Sequence, residues 1–137
     1  MPETEFMNRT YASLILRGKD LNPQKVIESI GITPSRSFKR GDIRKGNKRW
    51  PHGYWELEST GIITSSNLSV HLEWLAEQIE PSKIALTNLL KRESIDAEIS
   101  CFWILVTSHE SLNLNSELLG MIASMGLRMS FDIYCPD

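Results

Sequence analysis

One local pattern occurs twice in this chain and restricts its fold more than any other feature. Leu21-Asn22-Pro23 through Ile30-Gly31-Ile32 matches Leu114-Asn115-Ser116 through Met125-Gly126-Leu127, each time in the order strand, capped helix, glycine, strand. The chemistry of both copies is local. A capping oxygen, of Asn22 in the first copy and of Asn115 or Ser116 in the second, accepts from the first free amides of a helix, Pro23 presets φ at the first helical position, and a glycine leaves the last turn in a left-handed conformation. Between these signals Val26, Ile27 and Ile30, and later Leu118, Leu119, Ile122 and Met125, recur at helical spacing. The match predicts two β-α-β units related by an internal repeat.

The flanking segments supply the strands. Ala12, Leu14 and Leu16 alternate with Tyr11, Ser13, Ile15 and Arg17, and Trp55 and Leu57 alternate with Tyr54, Glu56 and Glu58. Residues 99 to 107 are apolar on both sides, as in a covered central strand. After Gly126 the residues Leu127, Met129, Phe131, Ile133 and Cys135 alternate with Arg128, Ser130, Asp132 and Tyr134. In the middle, Ser65 to Asn67 can cap a helix carrying Leu68, Leu72, Leu75 and Ile79; Pro81 breaks it, and a second helix from about Ser82 to Lys91 carries Ile84, Leu86, Leu89 and Leu90. The expected fold is therefore α+β. Two β-α-β units form a four-stranded sheet with helices on one face, ferredoxin-like with a central helical insertion. Residues 1–9 are expected to be a mobile N-terminal segment, and 10–137 a single α+β domain with a basic loop at 33–53. That stretch is either a functional loop or a short hairpin in which Arg36 to Arg40 pairs with a later strand, Gly41-Asp42 and Gly46-Asn47 both being suitable turn sites.

Composition bounds the class. A chain of 137 residues fits one core, and 41% hydrophobic with 23% charged residues is the balance of a water-soluble domain. No apolar run approaches the ~20 residues that cross a bilayer, and the polar, acidic start is unlike a signal peptide, so a cytoplasmic location without a membrane partner is expected. Cys101 and Cys135 lie in apolar, strand-like segments without CxxC spacing, which predicts reduced core thiols and no disulfide.

Several short segments, taken in order, carry a family resemblance. They are Leu16 to Leu21, Gly31-Ile32-Thr33-Pro34, Lys39-Arg40-Gly41-Asp42, Tyr54-Trp55-Glu56-Leu57-Glu58, His71-Leu72-Glu73, Ser100-Cys101-Phe102-Trp103 and Phe131-Asp132-Ile133-Tyr134. Together they resemble the bacterial family called domain of unknown function 4279, over nearly the whole chain after Asn8. The resemblance implies a small bacterial α+β domain and carries over no activity and no site residues.

The strongest functional signal is electrical. Residues 36 to 52 hold seven of the fifteen Lys and Arg residues against Asp42 alone, while the rest of the chain carries eight basic and sixteen acidic side chains. The stretch runs directly into Trp50-Pro51-His52-Gly53-Tyr54-Trp55. Clustered charge of one sign steers an oppositely charged partner. The expected function is a non-enzymatic bacterial binding module that engages an acidic protein or other anionic partner through the basic loop 36–55. Arg36, Lys39, Arg40, Arg44, Lys45, Lys48 and Arg49 supply the field, and Trp50 and Tyr54 the aromatic anchors.

Two alternatives use other chemistry. Single-stranded nucleic acid could pair its phosphates with the same cations and stack bases on Phe38, Trp50, Tyr54 and Trp55. A small hydrolase could use Glu56, Glu58, Asp132 and Tyr134, converging beside Arg17 on the open sheet face. His52, His71 and His109 show no chelating pair, so no metal is expected, and nothing implies a cofactor. His71 is expected to be a partly exposed or locally hydrogen-bonded histidine. Cys101 lacks a basic neighbour in sequence that would activate it, and Gly41 and Gly46 are spaced too widely for a phosphate loop.

Overall fold

The computed structural model describes residues 9–135. The mobile segment expected at 1–9 lies, apart from Arg9, outside them. Among the described residues the elements are β1 (Tyr11–Gly18), α1 (Pro23–Ile30), β2 (Arg36–Phe38), β3 (Gly53–Glu58), α2 (Leu68–Ile79), a 3-10 turn (Glu80–Ser82), α3 (Lys83–Arg92), β4 (Asp96–Ile104), α4 (Ser116–Ser124) and β5 (Arg128–Tyr134). They form an α+β domain.

The helix ends follow from their capping chemistry. Asn22 Oδ1 accepts from Gln24 N at 3.0 Å, and at the other end of α1 Gly31, with φ of 71°, donates its N–H to Ile27 O at 2.7 Å. Asn67 and Asn115 cap α2 and α4 in the same way, through Ser69 N at 2.9 Å and Leu118 N at 2.8 Å. Pro81 sits in the 3-10 turn, which separates α2 from α3 as a proline requires. Ser82 Oγ donates to Ile30 O at 2.6 Å, tying this break to the end of α1.

The sheet is five-stranded and mixed, in the order β2-β3-β1-β4-β5. Of the neighbouring strand pairs only β4 and β5 run parallel; β1 pairs antiparallel with both β3 and β4, and β2 antiparallel with β3. The expected four strands therefore become five, and the two β-α-β units are not equivalent. The second unit, β4-α4-β5, is a direct crossover between neighbouring parallel strands. In the first, α1 leads from β1 to β2, which are parallel but separated by β3. Strand β2 has three residues, too few to show alternation, and takes the hairpin alternative, pairing Arg36–Phe38 with the later strand β3. Strand β4 begins three residues before the expected Ile99, because Asp96 and Glu98 find arginine partners on neighbouring strands.

Every helix buries its apolar face in one cluster. Ala12, Leu14 and Leu16 of β1, Trp55 and Leu57 of β3, and Ile99, Cys101 and Trp103 of β4 meet Val26, Leu72, Leu75, Leu86, Leu89 and Ile122. The opposite face carries Arg17, Glu56, Glu98, Phe102 and Arg128, and among the described residues no helix packs on it. Strand β4 is thus interior in the sheet yet covered by helices on one side only. Cys101 is buried as expected, and burial pushes its thiol up to about 12. Cys135 is exposed, which corrects its expected place in the core: it follows the edge strand β5.

His71 is fully buried, so of the two expected states it takes the hydrogen-bonded one and not the partly exposed one. Its Nε2–H donates to Ser65 O at 2.6 Å, leaving Nδ1 to accept from Ser59 Oγ at 2.5 Å, and Ser59 Oγ accepts in turn from Ala12 N at 3.0 Å. Burial lowers the His71 pKa below 6.5. The folded ring stays neutral where the unfolded ring gains a proton, so its contribution to stability is complete above about pH 6.5 and falls as the pH drops below it. Denaturant midpoints measured from pH 8 to pH 5 should therefore decline at the acid end, with a shallower decline in His71→Gln. Parallel pH profiles for the two proteins would refute this.

Candidate functional site: the basic hairpin and its aromatic root

The basic stretch is ordered. Beyond β2 the chain makes a second, smaller hairpin in which Gly41 N donates to Trp50 O and Trp50 N to Asp42 O, both at 2.9 Å. Further out, Arg44 N donates to Lys48 O at 3.0 Å, and Ile43 bridges Arg49. Two turns make this possible. Asp42 Oδ2 accepts from Lys39 N at 2.9 Å beside Gly41 with φ of 92°, and Gly46, with φ of 79°, lies at the tip. Both are positions where glycine's freedom is used.

An aromatic stack fastens the hairpin to the sheet. Phe38 and Tyr54 are cross-strand partners, so their rings stack on the helix-free face at 5.0 Å and 7°. The returning chain lays Trp50 over Phe38 at 3.7 Å and 11°, with His52 edge-on at 6.0 Å. Cations close the assembly. The Arg44 guanidinium lies 4.3 Å from the Trp50 ring, Arg36 lies 5.3 Å from Tyr54, and Arg17 lies 5.7 Å from Tyr54 on the sheet side.

Lys39, Arg40, Arg44, Lys45, Lys48 and Arg49 are all exposed on this hairpin. Arg40 pairs with Asp20 at 2.8 Å, and Arg49 Nη1 donates to Gly41 O at 2.9 Å. Trp50 is half-buried, with Phe38 and Arg44 against its ring. Tyr54 is buried at the base of the stack, its hydroxyl donating to Glu56 Oε1 at 3.0 Å.

The four carboxylate-face candidates share one side of the sheet but do not gather. Glu56 and Glu58 lie on β3, Asp132 and Tyr134 on the edge strand β5, with β1 and β4 between them. Three strand spacings separate the two pairs by ~14 Å. Burial, reinforced by Glu58, raises the Glu56 pKa. Between the two pairs stands Tyr11, whose own pKa is raised by burial and then by Glu58, Glu56 and Asp132.

Arg17 is engaged elsewhere. Its Nη1 donates to Glu98 Oε1 at 2.8 Å, while Arg128 Nε and Ser130 Oγ reach Glu98 Oε2 at 3.3 Å. The Arg17 hydrogen bond holds the Glu98 carboxyl below its ordinary range. The sequence signal for Glu98 was the alternation of Asp96 and Glu98 at the start of an apolar strand, opposite Arg17 and Arg128.

A groove of about 760 Å³ lies between α2 and α4 and is lined in part by Glu73, Glu77, Glu80 and Glu117. None of its lining belongs to the hairpin. Among the described residues, no three His, Cys, Asp or Glu side chains are grouped to hold a metal ion, and no helix is long and apolar enough to cross a membrane.

Fold and surface together define a small α+β domain with a five-stranded mixed sheet, one helical layer and a cationic hairpin at one end. Residues 8–136 match the family described as Domain of unknown function (DUF4279), and the chain belongs to that family. No curated protein and no solved structure matches it.

Proposed function

We propose that this protein is a non-enzymatic bacterial binding module, acting in the cytoplasm, whose hairpin docks an acidic protein surface. The observation that carries the reading is the ordered hairpin itself, with six exposed cations projecting from a stacked aromatic root. Preorganisation matters because a disordered basic loop would lose conformational entropy on docking, whereas a stapled one keeps more of its interaction energy. Arg36 and Trp50 border the contact, and Tyr54 supports it from below.

Nucleic acid is the second reading, favoured by the same cations beside aromatic rings. Against it, the Trp50 ring already has Phe38 and Arg44 packed on it, so a base must displace the guanidinium in order to stack there. The separation of Glu56 and Glu58 from Asp132 and Tyr134 weighs against a hydrolase built on those four. The interleaved part β2-β3-β1-β4 supports a ferredoxin-like reading of the scaffold, to which α4 and β5 are added.

Reversing Lys39, Arg40, Lys45 and Lys48 to glutamate should abolish capture of an acidic protein from lysate of the native cell. Capture by the wild type should weaken steeply with added salt. Unchanged capture by the variant would overturn the proposal, and tight, salt-sensitive binding of a labelled single-stranded oligonucleotide would replace it with the second reading.

A further inference from the structure

Among the described residues the two edges of the sheet, β2 and β5, are unlike. The β2 edge is three residues long and leads into the cationic hairpin, and short, charged edges resist pairing with another chain. The β5 edge is seven residues long, with Phe131 39% and Ile133 54% exposed. Leu105 N donates to Tyr134 O at 2.9 Å, so the backbone groups of Tyr134 turn toward β4. Alternation along a parallel ladder then turns the N–H and C=O groups of Met129, Phe131 and Ile133 away from it, along the outer edge.

We propose that β5 is a homodimer interface, in which two copies of this chain pair their edges antiparallel about a twofold axis at Phe131. This arrangement satisfies both requirements of a self-complementary edge. Outward-turned residues meet outward-turned residues, Phe131 with Phe131 and Met129 with Ile133 of the other copy, and each pair exchanges two ladder hydrogen bonds. The same three side chains lie on the helix side, continuing the apolar row of Cys101 and Trp103, so the exposed Phe131 and Ile133 become cross-strand neighbours of apolar residues. On the other side Ser130 meets Asp132, and Arg128 meets the ring of Tyr134. No like charges face each other across the axis. The two sheets become one of ten strands with β2 and its hairpin at both ends, ~43 Å apart at ordinary strand spacing.

The experiment is sedimentation equilibrium of the full chain from low to high micromolar concentration, alongside Phe131→Lys and Ile133→Lys. The wild type should approach twice the chain mass, and both variants should remain at the single-chain mass. Lysine at these exposed positions leaves the core intact, which circular dichroism checks. Amide exchange of the wild type gives a second readout without a variant: Met129, Phe131 and Ile133 should gain protection as concentration rises. A wild type of single-chain mass throughout, or variants that still dimerise, would overturn the proposal. So would concentration-independent exchange at the three amides. None of these outcomes depends on the hairpin's partner.

Discussion

Replacing Gly53 with alanine is expected to leave little folded protein. A Cβ on Gly53 would stand 2.0 Å from Leu21 O and 2.8 Å from Leu21 C, both backbone atoms of the turn between β1 and α1. No rotamer change relieves that overlap, since β3 is paired with β1 at this point, Gly18 opposite Gly53. Ordinary overpacking costs about 1–3 kcal/mol; displacing two backbone segments should cost more, roughly 4 kcal/mol or above, a large share of a domain's stability. Gly120→Ala is the matched control. Apart from its chain neighbours and the backbone of its own helix, nothing lies within 4 Å of a Cβ at that position of α4, and alanine favours a helix interior by about 0.5–1 kcal/mol. Urea unfolding should show Gly53→Ala unfolded or nearly so, and Gly120→Ala at or above the wild-type midpoint. A Gly53→Ala midpoint close to wild type would refute the close approach.

Trp55→Ala should come next, at about 3–5 kcal/mol, the range for removing a large aromatic from a packed core. Trp55 has no solvent exposure and sits on β3 beside Leu16, its ladder partner on β1, within the main cluster. Its indole nitrogen is buried with no hydrogen-bond partner among the described residues. The side chain therefore contributes volume and apolar area, offset by an unsatisfied donor. Trp55→Phe removes that donor while keeping a ring and should lose much less than Trp55→Ala. Equal losses in thermal and urea unfolding would show that the indole nitrogen matters after all.

Much of the fold was legible because its signals are local. Asn22, Pro23 and Gly31 define α1 without reference to anything distant, and Pro81 marks the break between α2 and α3. The alternation about Leu14, Trp55 and Phe131 placed the strands and their faces. Strand β2 was legible only as one alternative for its loop, because Arg36-Ser37-Phe38 carries no periodicity, and the order of strands escaped because β3 lies between β1 and β2 through pairing that no local pattern records. The site divided in the same way. The seven cations were readable as charge, but the stacking of Trp50 on Phe38 depends on the hairpin's return path, and Tyr54's burial on its register opposite Phe38. Glu98 was passed over because its meaning comes from Arg17 and Arg128, on the two strands beside it.

The place of β1 in the sheet bears on how the protein is made. Its partners arrive late: Ser59, which receives the amide of Ala12, lies 47 residues further on, and Ser100, whose carbonyl meets the Ser13 hydroxyl, 87. At ordinary elongation rates of ~5–20 residues per second, the ribosome needs roughly 4–17 s to translate the second interval. Until then Leu14 and Leu16 belong to a nascent strand with one ladder unmade. Strand β5, the last of the five to be made, joins a sheet whose other pairings are already available, so the vulnerable period in biosynthesis belongs to β1 and ends with the emergence of β4.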